Sequence, residues 1–406
     1  MSVNSRSLKV VGPRASPAAA APDVAEHQPV GLAVLCDLRE EHWPSMDLVA
    51  AQLLQNLGAP HVAKFRAERV CPSMKTRLGR VPVLGRSRLG LNADRLLNRM
   101  WDYPVYVRSI VRDFELFHVC DHSYSQLVLE VPRDRCGVFC HDLDTFRCLL
   151  EPEKERRPAW FIAIARRVLR GMEQAAIVLY STSTVRKQIE RFGLVDARRL
   201  VHAPYGISDE FSAVRDMARG RADIPPSVAD GAPFLLHVGS CIPRKRIDVL
   251  LDTFAIVRRE RPELRLVQVG GEWSREQRAQ LQRHGLDHAV MQLPRMQQST
   301  IATLYRRAAL VLMPSESEGF GLPVVEALAC GSIVVASDIP VFREVGADAI
   351  VYCPMGDANA WAQAVEGVLA DSIAVPELGR RLDWSSQFSW ARQARVIAGA
   401  YESLLA

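Results

Sequence analysis

The sequence predicts an α/β protein of two Rossmann-like domains, each a doubly wound parallel sheet, facing one another across a cleft. Three observations lead there. At 406 residues the chain is too long for one typical core and suits two. Short apolar runs alternate with stretches of helical spacing, the pattern of parallel strands covered by helices on both faces. That alternation breaks at a run rich in Ala, Arg, Asp and Pro (213–231) and restarts at Phe234. We divide the chain into a disordered tail (1–28), a first domain (29–212), a linker (213–232), a second domain (233–385) and a closing helical segment (386–406). Ligands of such a fold bind outside the carboxyl ends of the strands.

In the first domain, VGLAVLCDL (Val30 to Leu38) reads as an apolar strand. Ser45 to Leu57 has helical spacing, with Ser45 as a candidate N-cap. Phe114 to Tyr124 and Arg135 to Asp144 read as strands ending in polar loops. Ala175 to Thr182 and Arg199 to Ile207 read as two more, with helices over Pro158 to Gln174 and Ser183 to Phe192. The strand ends carry Asp121 and His122 in CDHSY, and His141 and Asp142 in CHDLD. His141 and Asp142 are candidate catalytic residues on the cleft side, with a capping His–Asp pair the plainer reading, and Asp121 and His122 are candidates on the acceptor side.

The second domain holds the densest motif, PSESEGFGLPVVEALACG (Pro314 to Gly331). An apolar run, Ala309 to Met313, precedes it as a buried strand. Gly319 and Gly321 permit a tight turn and close approach of backbone to a ligand. Pro323 suits a first helical turn, and Gly331 suits the residue past the helix end. The product is a strand, a glycine loop and a helix N-terminus whose free N–H groups attract phosphate. Glu318 lies in the loop and Glu326 about one turn into the helix. Carboxylates beside a phosphate site make sense as acceptors for sugar and ribose hydroxyls, while an ordinary turn with solvated acids is the plain alternative. Upstream, Arg244 and Lys245 in PRKR follow a strand and open a helix. Cations oppose the dipole there, so an anionic ligand explains them better than a solvated helix start does.

The E-x7-E spacing around EGFGLP resembles the donor site of glycosyltransferase family 4, the retaining nucleotide-sugar transferases of GT-B fold. Further segments agree in order: Phe234 to Phe254, Leu264 to Gly271, Thr303 to Ser315, Ser337 to Tyr352, and Phe388 to Tyr401. The resemblance runs from about Val30 to the C-terminus. It implies that Glu318 binds hydroxyls of the donor sugar, that backbone of Gly319, Phe320, Gly321 and Leu322 touches sugar and phosphate, and that Glu326 takes the ribose. Lys245 matches the family's diphosphate lysine. Many members carry an Arg just after the strand glycine. Ser240 stands there, so a second cation has to come from elsewhere, with Arg244 the candidate. A His at the place of His141 contacts the sugar or the acceptor zone in the family, and the last helix packs back across the first domain. The donor implied is a UDP- or GDP-sugar, without a metal ion or other cofactor. A family with front-face attack also assigns no enzymatic base.

Composition narrows the setting. Hydrophobic content of 48% and charged content of 24% are ordinary for a soluble globular chain. No apolar run approaches a bilayer span, and 1–28 lacks the hydrophobic core of a signal peptide. Nine cysteines without a tight framework read as core residues in a reducing cytoplasm. Cys136 and Cys140 have no second pair at zinc spacing. The net charge is +5, yet Lys64 to Arg99 alone holds ten cations against two acids, interleaved with apolar residues as far as Trp101. Basic plus apolar composition fits an anionic membrane surface, reached from the inner face of the plasma membrane. A basic loop, or a site for an acidic acceptor, is the competing reading. No nucleic-acid motif is present. The expected activity is retaining transfer of a hexose to a lipid-linked or glycan acceptor in surface polysaccharide synthesis. A soluble sugar or metabolite acceptor, and a catalytically silent scaffold, are the alternatives.

Overall fold

The computed structural model describes residues 29–58, 64–78, 88–214, 224, 228 and 230–405. The expected tail (1–28) lies outside them, as does most of the linker (213–232).

The first domain runs β1 (Val30–Leu35), α1 (Pro44–Leu57), β2 (Phe65–Val70), α2 (Arg88–Leu97), α3 (Tyr103–Ile110), β3 (Leu116–Val119), β4 (Cys136–Cys140), α4 (Arg147–Leu150), α5 (Ala159–Gln174), β5 (Ile177–Tyr180), α6 (Ser183–Arg191) and β6 (Leu200–His202). The second runs β7 (Phe234–Gly239), α7 (Ile247–Glu260), β8 (Arg265–Gly270), α8 (Arg275–Arg283), β9 (Val290–Leu293), α9 (Gln298–Arg307), β10 (Leu310–Met313), α10 (Leu322–Ala329), β11 (Val334–Ser337), α11 (Pro340–Gly346), β12 (Val351–Cys353), α12 (Ala358–Leu369) and α13 (Leu378–Ser385). The last helix is α14 (Trp390–Glu402).

Both sheets are six-stranded and all parallel, ordered β2-β1-β3-β4-β5-β6 and β12-β11-β10-β7-β8-β9. Central strands are buried on both faces, as Leu116–Val119 and Leu310–Met313 show with every residue buried, which is why they read as unbroken apolar runs. The strand order reverses between β1 and β3 in one sheet and between β7 and β10 in the other. These two switch points open crevices at the strand ends.

The helix α14 ties the ends of the chain together. Its Tyr401 hydroxyl donates to the Phe117 carbonyl at 2.9 Å and shares a hydrogen bond with His118 Nδ1 at 2.9 Å. Gln393 Nε2 donates to the Ala203 carbonyl at 3.2 Å. Burial holds the His118 pKa down to about 3, with a smaller push from His141, so this ring is neutral.

Three local expectations need correction. The strand expected over Val30 to Leu38 stops at Leu35, where the chain leaves the sheet for the cleft. The helix expected to be capped by Ser45 begins at Pro44, after Trp43, without a side-chain cap bond. Proline's fixed φ suits the first helical position, so the helix starts one residue earlier. The basic segment is also more ordered than a loop: it contains edge strand β2, then α2, then a π-turn (Asn98–Asp102) leading into α3. The strand carries Arg66, Glu68 and Arg69, whose charges hide its alternation. Arg80 and Arg86 lie outside the described residues.

Candidate active site

The residues expected to hold the donor meet at the β7/β10 switch point. The chain leaves β7, makes a 3-10 turn over Pro243–Lys245, and enters α7 through Arg246. Arg246 is left-handed, with φ 50°, a conformation that costs a non-glycine residue about 1 kcal/mol. Its guanidinium pairs with Asp248 at 2.8 Å. This corner turns Lys245 inward, where its side chain is 9% exposed.

Facing it, Glu318 follows β10 in the glycine loop, with a side chain only 5% exposed. Lys245 Nζ donates to Glu318 Oε1 at 2.5 Å, and Arg244 Nη1 donates to Glu318 Oε2 at 2.8 Å. Burial works to raise the Glu318 pKa, but the two cations outweigh it and hold the carboxyl below its usual range. Beneath them lies a residue that sequence reasoning missed, His237 on β7. It is fully buried with neither ring nitrogen bonded. Burial first, then the Lys245 charge, depress its pKa to about 3.

The loop then reaches Gly319 and Gly321. A Cβ on Gly319 would stand 2.6 Å from the His141 carbonyl oxygen, so only glycine lets this loop touch the first domain. Gly321, at φ +90°, sits just before α10. Phe320 is buried, and its ring packs 4.9 Å from Tyr205. Leu322 is the first residue of α10. Glu326 projects from that helix and accepts a 3.4 Å hydrogen bond from the Tyr305 hydroxyl. Burial raises its pKa to about 7, against the smaller opposing effect of Tyr305.

The facing wall comes from strand ends of the first domain. His141 lies here, but its ring is closed. Its Nε2 is 2.7 Å from the Cys120 carbonyl, and its Nδ1 bonds the Tyr205 hydroxyl. Burial lowers its pKa. Tyr205, also missed in the sequence, thus links His141, Phe320 and, at 5.8 Å, Trp390. No local pattern marks it, because its partners come from three separate segments. Asp142 is nearer the opening, its side chain 35% exposed. Its charge and that of Asp144 act on Arg244 across the cleft, behind the stronger effect of Glu318. Asp121 and His122 line the next strand end, 3.3 Å apart. Thr182 Oγ1 donates to the Gly319 carbonyl at 3.1 Å, and the Ser183 amide donates to Glu344 Oε1 at 2.7 Å, so the two domains touch on both sides of the loop. Among the described residues no group of three or more His, Cys, Asp or Glu side chains is arranged to hold a metal ion.

The comparisons agree with this geometry. Residues 222–385 match the family model for glycosyl transferases group 1. The chain is 30% identical to D-inositol 3-phosphate glycosyltransferase of Nocardia farcinica over 57% of its own length and 53% of that protein. It thus spans about half the length of such relatives. It is 26% identical to O-antigen chain mannosyltransferase B of Escherichia coli over 88% of its length and 93% of that protein. Among solved structures, sucrose-phosphate synthase from Thermosynechococcus elongatus superposes with a TM-score of 0.71 at 20% identity, covering 93% of this chain and 99% of that one. Anabaena Alr3699/HepE in complex with UDP-glucose gives 0.68 at 17% identity, covering 92% and 99%. At these identities the structures speak for the fold alone. Two parallel six-stranded sheets give the chain the GT-B fold, and its second domain is similar to the glycosyl transferases of group 1 over residues 222–385.

Proposed function

We propose that the protein is a retaining hexosyltransferase of the family 4 kind, moving a hexose from a UDP- or GDP-sugar to a lipid-linked or glycan acceptor in surface polysaccharide synthesis. The observation that carries this reading is the Arg244–Glu318–Lys245 cluster at a switch point, followed directly by the glycine loop and the amino end of α10. A departing diphosphate needs fixed positive charge where it leaves. Arg244, Lys245 and the α10 amides supply it, so the reading requires no divalent ion. Incoming phosphates compete for the two cations and free Glu318 to orient sugar hydroxyls, while Glu326 takes the ribose. In front-face transfer the bond from the anomeric carbon to the diphosphate oxygen breaks, the new bond forms on the same face, and the acceptor's proton passes to the departing oxygen. The O-antigen relative, matched along 88% of the chain, supports the polysaccharide setting.

Isothermal titration with UDP and with GDP, each in EDTA, tests the reading. One nucleotide is expected to bind, and chelator to leave transfer unchanged. A silent scaffold binds neither. Transfer that stops with chelator and returns with manganese overturns the metal-free part.

We further place the acceptor's arrival at an anionic membrane, at the inner face of the plasma membrane. Leu97, Trp101 and Val105 recur at every fourth position from α2 into α3 and are 43%, 70% and 44% exposed. Basic residues are interleaved with them in the sequence, although Lys75 and Arg77 are engaged by Asp102. No helix among the described residues is long and apolar enough to cross a membrane. Sedimentation with phosphatidylglycerol vesicles but not phosphatidylcholine vesicles is the expected result, weakened by Trp101→Ser and by salt. The competing acceptor is a soluble, phosphorylated one, of the kind that the Nocardia relative's name states.

A further inference from the structure

We propose that Cys36 and Cys120 form a reversible disulfide across the first sheet, a redox switch that resets the facing wall of the cleft and leaves nucleotide binding intact. The bond itself is independent of the transferase reading above, and only its effect on turnover rests on that reading.

Cysteines stand at the ends of three neighbouring strands. Cys71 follows β2, Cys36 follows β1 and Cys120 follows β3. Leu35 and Val119 are register partners, so Cys36 and Cys120 are the next pair along these strands. The Cys120 amide donates to the Leu35 carbonyl at 3.0 Å, which carries the register to the last residue. The two sulfurs lie 3.9 Å apart, and both residues are buried. Paired strands run about 4.8 Å apart, inside the range of about 4.4–6.8 Å that a disulfide spans between Cα atoms. Closing the sulfurs to a bonded distance of about 2 Å takes side-chain rotation and a small approach of the strand ends. Cys71 is engaged elsewhere, its thiol donating to the Asp37 carbonyl at 3.1 Å.

The two sulfurs are not equivalent. Cys36 directs its proton to the Val34 carbonyl at 3.4 Å, so the proton between the sulfurs belongs to Cys120. That hydrogen bond, opposed by burial and aided by the Arg69 charge, holds the Cys36 thiol below its usual range. The same bond, with burial, pushes Cys120 up. Cys36 is therefore the nucleophile and Cys120 the resolving thiol. With hydrogen peroxide as oxidant, the Cys36 sulfur attacks one oxygen, the O–O bond breaks and a water leaves, giving a sulfenic acid. Cys120 then attacks that sulfur. The S–S bond forms, and the hydroxyl departs with the Cys120 proton as a second water. Two thiols are oxidised to one disulfide while one peroxide is reduced to two waters. A dithiol reverses the step by thiol–disulfide exchange.

The neighbours of the two cysteines make the bond a switch. Asp37 and Asp121 are the next residues in the chain, and the backbone of both cysteines is already engaged. The Tyr103 hydroxyl donates to the Cys36 carbonyl at 2.8 Å. The Cys120 carbonyl lies 2.7 Å from His141 Nε2, and His141 reaches Phe320 of the glycine loop through Tyr205. Drawing the strand ends together shifts that carbonyl and turns the imidazole bonded to it. Packed interiors transmit such strain, because they have little free volume to absorb it. Arg244, Lys245 and Glu326 are carried by the second sheet and its helices, so the cations and the ribose carboxylate of the proposed donor site stay in place.

Peptide mapping by mass spectrometry without reductant, before and after hydrogen peroxide, tests the bond. The Cys36 and Cys120 peptides are expected to join, lighter than their sum by two hydrogens, and to separate again with dithiothreitol. Hydrogen exchange on the same samples is expected to change in the peptides carrying Asp37 and His122 and to stay constant in those carrying Lys245 and Glu326. Turnover is expected to fall at least about 10-fold on oxidation, with nucleotide affinity unchanged, and to return with dithiothreitol. Cys120→Ser is expected to lose both the link and the response to peroxide, and the map of the unmodified chain stands even where that variant folds poorly. No link, a link between other cysteines, or oxidation of Cys36 that dithiothreitol does not reverse overturns the bond. A link that leaves exchange around Asp37 and His122 unchanged overturns the switch. If neither UDP nor GDP binds, the transferase reading fails, while the mapped link and the exchange pattern still decide this inference.

Discussion

Glu318 is held by two cations, so it is a structural residue as well as the proposed ligand of the donor sugar. Its replacement by alanine leaves Lys245 buried without its ion partner. The cost expected is about 3 kcal/mol, the low end for breaking a buried pair because Arg244 is 29% exposed. Urea denaturation measures it. The same carboxyl is depressed in the fold, so its stabilising contribution is present above the ordinary carboxylate range and is lost as pH falls through its native value. Glu326 behaves in the opposite way. Its pKa is raised to about 7, so the fold favours the protonated acid, and that contribution fades as pH rises from the ordinary carboxylate value towards 7. Only the ionised form is a full acceptor for ribose hydroxyls. Affinity for a sugar nucleotide, whose diphosphate is already ionised, is therefore expected to rise up to about 10-fold between pH 6 and 8. Glu326→Gln should flatten that profile in a titration series, and a profile unchanged by the substitution would remove Glu326 from the site.

At the scale of elements, the loop between β10 and α10 is the piece on which both domains act. It contributes Glu318 to the proposed donor site, and its Gly319 lies against the His141 carbonyl. Gly319→Ala places a methyl carbon 2.6 Å from that oxygen, so the loop has to back away from the facing wall. The cations on the other side of the cleft do not move with it. Turnover is expected to drop at least about 10-fold, with nucleotide affinity nearly unchanged, since misplacement of reacting groups costs rate before it costs binding. Steady-state kinetics beside calorimetry separates the two. This element was legible in the sequence because its information is local: glycines where backbone must turn or approach, a proline in the first helical turn, acids eight positions apart. Strand β2 was not legible, because its edge position tolerates Arg66, Glu68 and Arg69, and the charges read as a basic loop.

At the scale of the whole molecule, α14 crosses back to the first domain and seals it. Tyr401→Phe removes the hydroxyl that meets both Phe117 and His118 in a fully buried setting, and is expected to cost about 1–3 kcal/mol. A fall in the thermal midpoint with unchanged nucleotide affinity reports it, and a change in affinity instead would place Tyr401 in the site. The alternation of apolar runs and helical stretches was enough to specify two parallel-sheet domains, because burial of a strand on both faces writes itself into consecutive residues. The strand, glycine loop and helix of the proposed donor motif were equally readable, since they are contiguous in the chain. The facing wall was readable only in part. Asp121, His122, His141 and Asp142 were visible as strand-end residues. That both ring nitrogens of His141 are occupied, and that Tyr205 connects His141 to Phe320, depend on strand order and on the meeting of segments far apart in the chain. Local pattern records which face a residue shows, and only the packed sheet decides which side chains that face will meet.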